Sequence, residues 1–210
     1  MRIEILRNIE KKTKSSLCRL RLKQKDFTIV SNNCWGTFIY KKFGLPYQSP
    51  FVNLLIYASD YIKLLENFSS DLLDDITFIQ PQASKHLEEM KTRGYDKESF
   101  PIGVIGDGIE IHFLHYNDQE DALKKWNERI KRINYSRLIF KFSDSERCDA
   151  DLIKRFDALP YKNKICFTAG EFPQLKNVVT LKHFKGKDGV IDEWKHSEGE
   201  YSIYELLNNS

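Results

Sequence analysis

With 210 residues, 41% of them apolar, 13% aromatic and 30% charged, the chain has the composition of a folded protein with a buried core, not of a disordered or low-complexity one. No apolar run approaches the ~20 residues needed to cross a bilayer, and the charged N-terminus lacks the apolar centre of a cleaved export signal. The net charge of +3 hides an asymmetry: residues 1–25 hold nine Lys/Arg against Glu4 and Glu10, a balance of +7 that leaves −4 on the rest.

Residues 2–22 predict an amphipathic helix, with Ile5, Leu6, Ile9, Leu17 and Leu20 on its apolar side. Residues 1–25 are therefore read as a basic N-terminal helix, and residues 26–210 as a single α/β domain. The basic helix is either a solvated face packed on the body or a surface for anionic lipid. No nucleic-acid-binding signature accompanies it, so no nucleic-acid partner is expected.

Phe27 to Val30 has the β-branched and aromatic content of a short buried strand. Ser31, Asn32, Asn33, Cys34, Trp35 and Gly36 follow, and the loop after a strand's carboxyl end is where α/β proteins usually bind ligands. Trp35 to Phe43 reads as a helix capped by Gly44. Phe51 to Tyr57 reads as a buried strand or a helix start, and Ser59 or Asp60 is a candidate cap for a helix to Phe68. Ile76 to Gln80 is a strand, and His86 to Arg93 a surface helix. Ile102 to Ile105 and Ile109 to Tyr116 are strands joined by Gly106-Asp107-Gly108. Alternation puts Glu110 and His112 on one face of the second strand and His115 on the apolar other. Asn117 or Asp118 caps a helix to about Ile133, whose polar face carries Arg129 and Arg132. Strands at 136–142, 165–168 and 178–181 and a helix at 149–158 complete the pattern, with a terminal helix at 201–207. Strands alternating with helices predict a three-layer α/β/α fold with a mixed, mostly parallel sheet.

Cys18, Cys34, Cys148 and Cys166 form no C-x-x-C pair, which points to reduced thiols in a cytoplasmic, at most membrane-peripheral, protein. Cys34 is a nucleophile if a helix N-terminus and a histidine lower its pKa, and a packing residue otherwise. Asp107, Glu110 and His112 are the acid–base candidates, although Asp107 is also what a turn wants. Ser31, Asn32, Asn33 and Trp35 are placed to hold a sugar, and Arg129 to grip a phosphate. No His/Cys set has metal-ligand spacing and no nucleotide-binding glycine motif occurs, so no cofactor is indicated.

Several stretches taken in order resemble a known family: SNNCWG (31–36), GLPYQSP (44–50), DYIKLLENF (60–68), FPIGVIGDGIEIHFLHY (100–116), KKWNERIKRINY (124–135) and RFDALPYKNKICFT (155–168). Together they are similar to DUF1919, a bacterial family of unknown function often labelled an exopolysaccharide biosynthesis protein. The resemblance implies an α/β cytoplasmic protein linked to surface (exo- or capsular) polysaccharide. It supplies no catalytic residues. The expected function is a transferase acting on a sugar or an activated donor such as a nucleotide-sugar. A non-catalytic carbohydrate-binding or scaffold protein of the same machinery is the alternative. A shared reaction centre requires that the asparagine-bearing loop and the histidine-bearing strand meet at one rim of the sheet.

Overall fold

The computed structural model describes residues 2–95, 100–145 and 148–209, the side chains of residues 2–9 and 11 excepted. In chain order the elements are α1 (Arg2–Leu20), β1 (Thr28–Ser31), α2 (Trp35–Phe43), α3 (Ala58–Glu66), α4 (Ser70–Asp74), β2 (Thr77–Ile79), α5 (Leu87–Thr92), β3 (Ile102–Ile105) and β4 (Ile109–His112). Then come α6 (Gln119–Ile130), β5 (Leu138–Ser143), α7 (Ala150–Ala158), β6 (Lys164–Thr168), β7 (Val178–Thr180), α8 (Glu193–His196) and α9 (Ile203–Asn208).

Parallel and antiparallel pairing are both present, in two sheets. Strands β1, β5, β6 and β7 lie side by side in that order, all parallel, with Thr28 opposite Leu138 and Phe140 opposite Lys164. Strands β2, β3 and β4 form an antiparallel sheet, Ile105 facing Ile109 across the Gly106–Gly108 turn.

The parallel strands are short, and their apolar residues alternate between two cores, as strands buried on both faces require. Val30, Phe140, Phe142 and Cys166 point toward α3, α6 and α7, together with Ile109 and Ile111 of the antiparallel sheet and Phe113 just after it. Ile29, Ile139, Ile165 and Phe167 point the other way, toward α2 and α9. Helices thus cover both faces of the parallel sheet. Tyr61 of α3 fastens its two leading strands, its hydroxyl lying 2.8 Å from the Val30 carbonyl and 2.9 Å from that of Lys141.

Helix α2 follows β1 after a three-residue loop and lies close on it. A Cβ added at Gly36 would sit 3.1 Å from Ile29 Cγ2, so the close approach that Gly36 permits is to β1 itself. Gly44 closes the helix in the left-handed conformation (φ 59°), as its position after the last helical residue predicts.

Three local expectations are corrected. Phe51–Tyr57 is neither a regular strand nor a helix: Leu55 exchanges backbone hydrogen bonds with His112 (2.8 and 2.9 Å), and Ile56 N–H donates to Asn32 O (2.8 Å). Tyr57, not Ser59 or Asp60, is the residue before α3, because the Asp60 carboxylate is engaged elsewhere. The described residues of the apolar side expected of α1, Leu17 and Leu20, do not face the body. Leu17 and Leu20 are 61% and 78% exposed, while Cys18 packs on the core and Ser15 and Arg19 reach Lys41 O and Gly44 O. The side chains of Ile5, Leu6 and Ile9 lie outside the described residues.

Candidate functional site

Parallel pairing delivers the carboxyl ends of β1, β5 and β6 to one edge, and each ends in polar residues: Ser31-Asn32-Asn33, Ser143-Asp144-Ser145 and Thr168. Beneath this edge lies a buried charge pair. Lys141 is the fourth residue of β5 and projects, with Ile139, to the α2 side; its ammonium contacts Glu193 Oε1 and Ser143 Oγ and lies 2.9 Å from Asn33 Oδ1. Glu193 Oε1 also accepts from Asn33 Nδ2 (2.9 Å) and Ser143 Oγ (2.8 Å). Both charged side chains are fully buried. Burial works against both charges, but the Lys141 ammonium with the Asn33 and Ser143 hydrogen bonds outweighs it and holds the Glu193 carboxyl below the usual carboxylate range.

The same network shapes the loops above it. Asp144 accepts from the Ala169 N–H (2.6 Å) and the Val190 N–H (2.9 Å), tying β6 and the 189–192 segment to the end of β5. Burial pushes its carboxyl above the ordinary value. Glu193 then anchors the start of α8, and between the two anchors Asp192 takes a left-handed backbone (φ 52°). The only other non-glycine residue with positive φ among those described is Asn53 (φ 60°), which leads into the segment stitched to His112. Asn and Asp tolerate this conformation best, and such positions cluster at ligand sites.

Between the first loop, the 53–55 segment and the 190–194 segment opens a cleft of about 310 Å³. Asn33, Ser145, Asp192, His115 and Arg93 supply an amide, a hydroxyl, a carboxylate, an imidazole and a guanidinium. Tyr95 and Trp194 add aromatic surface, and Cys34, Leu54, Leu55, Leu114 and Ile191 complete the wall. A neighbouring hollow of about 290 Å³ shares Arg93, Ser145, Val190 and Ile191 with it. The Trp194 ring is stacked on Phe38 at 4.1 Å, which fixes its plane.

Of the sequence-predicted residues, Asn33 and Cys34 line this cleft. Cys34 is the residue before α2, its sulfur 3.9 Å from Leu54 O, and burial, reinforced by Glu193, pushes its thiol up to about 11. It is therefore held protonated, contrary to what a helix N-terminus alone would favour. Ser31, Asn32 and Trp35 are completely buried below the cleft. Asn32 Nδ2 bonds Ser143 O (3.4 Å), and Trp35 packs against Phe167.

Glu110 and His112 belong to a separate buried cluster on the outer face of β4. Glu110 accepts from Ser84 Oγ (2.5 Å) and the Lys85 N–H (2.9 Å), and its own N–H donates to Asp60 Oδ2 (3.0 Å). Asp60 also holds His86 Nε2 (3.0 Å) and Lys85 Nζ (2.5 Å). His112 Nε2 lies 3.4 Å from Glu110 Oε2, with the Tyr57 ring edge-on at 5.1 Å. Burial lowers the His112 pKa against the pull of Glu110. Burial also opposes ionisation of Glu110, yet His112, Ser84 and Lys85 together hold its carboxyl at about 2.

Asp107 is at the exposed tip of the β3–β4 turn, paired with Lys63 (2.8 Å) at the opposite end of β4 from His112. Arg129 is buried on α6, donating to Tyr116 Oη (2.6 Å) with its guanidinium 5.2 Å from the Tyr47 ring centre. Neither reaches the cleft. The loop and the hairpin therefore do not form one centre: residues 54–56 run between them, and the hairpin segment contributes Leu114 and His115. His115 is exposed, not packed in the core as alternation predicts, because β4 stops at His112 and the chain turns.

Lys141, Glu193, Asp192 and Trp194 were not singled out by the sequence. Only Lys141 carries a signal there: a lysine between Phe140 and Phe142 in an apolar strand demands a buried counter-ion. Among the described residues, no group of three His, Cys, Asp or Glu is placed to hold a metal ion, and no helix is long and apolar enough to cross a membrane.

Comparison with known proteins bears on the whole of this architecture. The family model described as "Domain of unknown function (DUF1919)" matches residues 5–209. An uncharacterized protein of Haemophilus influenzae is 32% identical over 177 residues, covering 84% of this chain and 78% of that protein. A match of that extent, carried through the cleft and both sheets, places the chain in the DUF1919 family.

Proposed function

We propose that the protein is a transferase of surface polysaccharide biosynthesis that takes a sugar, free or as an activated donor, into the cleft at the carboxyl edge of the parallel sheet. One observation carries this reading: Asn33, Ser145 and Asp192 converge on a cleft whose wall includes the Trp194 and Tyr95 rings. A sugar presents hydroxyls to amides and carboxylates and an apolar ring face to an aromatic one, and a cleft of this size suits one or two rings. The pathway is taken from the family resemblance. In the reaction, an acceptor hydroxyl gives its proton to the His115 imidazole as its oxygen bonds to the donor's anomeric carbon. The bond from that carbon to the leaving phosphate oxygen breaks, and the leaving group keeps the electron pair. Asp192 is the second proton acceptor within the cleft. Cys34, a neutral thiol, packs against the substrate and does not attack it.

The test is thermal denaturation against nucleoside-diphosphate sugars and free monosaccharides, with Asn33→Ala and His115→Ala as variants. A ligand at a hundred times its Kd adds about 2.7 kcal/mol of stability, and Asn33→Ala should lose most of it. His115→Ala should keep binding and lose transfer. The neutral Cys34 thiol also suits a carbohydrate-binding protein without catalysis, which would bind the same ligands and release no product. Stabilisation by no sugar compound, or equal stabilisation of Asn33→Ala, would overturn the assignment.

A further inference from the structure

Helix α1 is turned the wrong way for a helix that merely completes the core. Leu17 and Leu20 are three residues apart, on one stripe, and stand 61% and 78% exposed. The side of the helix that meets α2 carries Ser15, Cys18 and Arg19 instead. Helical spacing in the sequence groups Ile5, Leu6 and Ile9 with these leucines. Lys12, Lys14, Arg21, Lys23 and Lys25 are exposed around the helix and its C-terminal extension. An apolar stripe flanked by lysines and arginines, facing away from the body, is the pattern of a helix lying in a lipid interface.

From this arrangement we infer that α1 docks the protein on an anionic membrane surface, with Leu17 and Leu20 entering the headgroup–acyl boundary and the surrounding cations meeting lipid phosphates. Charge selects this occupant over a second copy of the chain. Pairing two α1 stripes would bring two segments of +7 face to face, whereas an anionic leaflet is attracted by the same charge. The docking is peripheral, since no described helix is long and apolar enough to span. It also has a geometric connection to the cleft. A groove of about 640 Å³ along α1, lined by Lys14, Arg21 and Tyr204 among others, shares Trp194 with the cleft. The inference stands whether or not the cleft is catalytic.

Co-sedimentation of the full chain with vesicles tests it, using phosphatidylcholine alone and phosphatidylcholine mixed with phosphatidylglycerol. Binding is expected to the mixed vesicles only, falling roughly tenfold or more when salt rises from about 0.1 M to about 0.5 M. The double variant Leu17→Glu/Leu20→Glu should lose that binding while keeping the wild-type melting temperature, because both positions are exposed. Lys12→Glu/Lys14→Glu should weaken it without touching the apolar stripe. Equal binding to both vesicle types, no binding to either, or unchanged binding by the leucine variant overturns the inference. So does a dimer in sedimentation velocity that the leucine variant dissociates, which would assign the stripe to a second copy.

Discussion

Replacing Lys141 by Met tests the buried pair beneath the cleft. The change keeps most of the side-chain volume and removes the charge, leaving the fully buried Glu193 with the neutral donors of Asn33 and Ser143. Breaking a buried pair from one side costs about 3–5 kcal/mol. In a chain of this length each kcal/mol corresponds to roughly 2–4 °C, so the melting temperature should fall by about 10 °C or somewhat more. The pH dependence gives a sharper signature. In the wild type the Glu193 pKa is lowered, so its contribution is present above the ordinary carboxylate pKa and is lost as pH falls through the folded value. In Lys141→Met the Asn33 and Ser143 bonds remain but the ammonium that offset burial is gone, so burial raises that pKa, stability is greatest in acid and it is lost as pH rises through the new folded value. The gap between the two proteins should therefore widen from pH 5 to pH 7.5 in urea titrations. The double variant Lys141→Met/Glu193→Leu should recover much of the loss, since apolar replacement of a whole buried pair is often neutral. A loss below about 1 kcal/mol, or a gap that does not change with pH, would refute the assignment of a charged pair.

The other predictions concern neighbouring groups. Glu110→Gln should destabilise the protein above the ordinary carboxylate pKa of 4.5, and the difference should vanish as pH falls toward 2, the folded value of Glu110. Acid titration followed by circular dichroism reads this, and a difference that persists at pH 2 would contradict it. Raising the Cys34 thiol from 9.0 to about 11 lowers its neutral-pH thiolate fraction roughly a hundredfold. Iodoacetamide should therefore label it far more slowly than a model thiol, and equal rates by mass spectrometry would count against the protonated thiol. Gly189→Ala places a Cβ 2.7 Å from the Asp144 carbonyl oxygen, which is backbone and cannot turn aside. It should cost about 1–3 kcal/mol and weaken ligand binding, by displacing the segment that carries Asp192; an unchanged melting temperature would argue against so tight a fit.

Much of the framework was legible in the chain because the signals were local. The strand read at Phe27–Val30, observed at Thr28–Ser31, the Gly44 cap, the Gly106–Gly108 turn and the cap at Asp118 all follow from residues within a few positions of one another. The loop after β1 was read as a ligand edge from equally local signals, and Asn33 and Cys34 of that loop line the cleft. What the sequence did not reveal depends on distant partners. Lys141 and Glu193 are 52 residues apart, and nothing around Glu193 marks it as buried. Asp60 looks like a cap until His86 and Lys85 are brought to it. Alternation assigned His115 to the core because it assumes that β4 continues, whereas the bridge from Leu55 to His112 marks the strand's last residue. Of the apolar residues grouped on α1, Leu17 and Leu20 stand exposed, because helical spacing says which residues share a face and not what that face meets.

Calorimetric titration of a stabilising sugar compound into wild type, Asn33→Ala and Asp107→Ala tests the cleft most directly. The cleft account predicts that Asn33→Ala weakens binding at least roughly tenfold, because it removes a wall residue of the cleft together with a hydrogen-bond partner of the buried Lys141–Glu193 pair beneath it, while Asp107→Ala at the exposed turn binds as wild type. The reverse order, with Asp107→Ala impaired and Asn33→Ala intact, would move the site to the hairpin and contradict it.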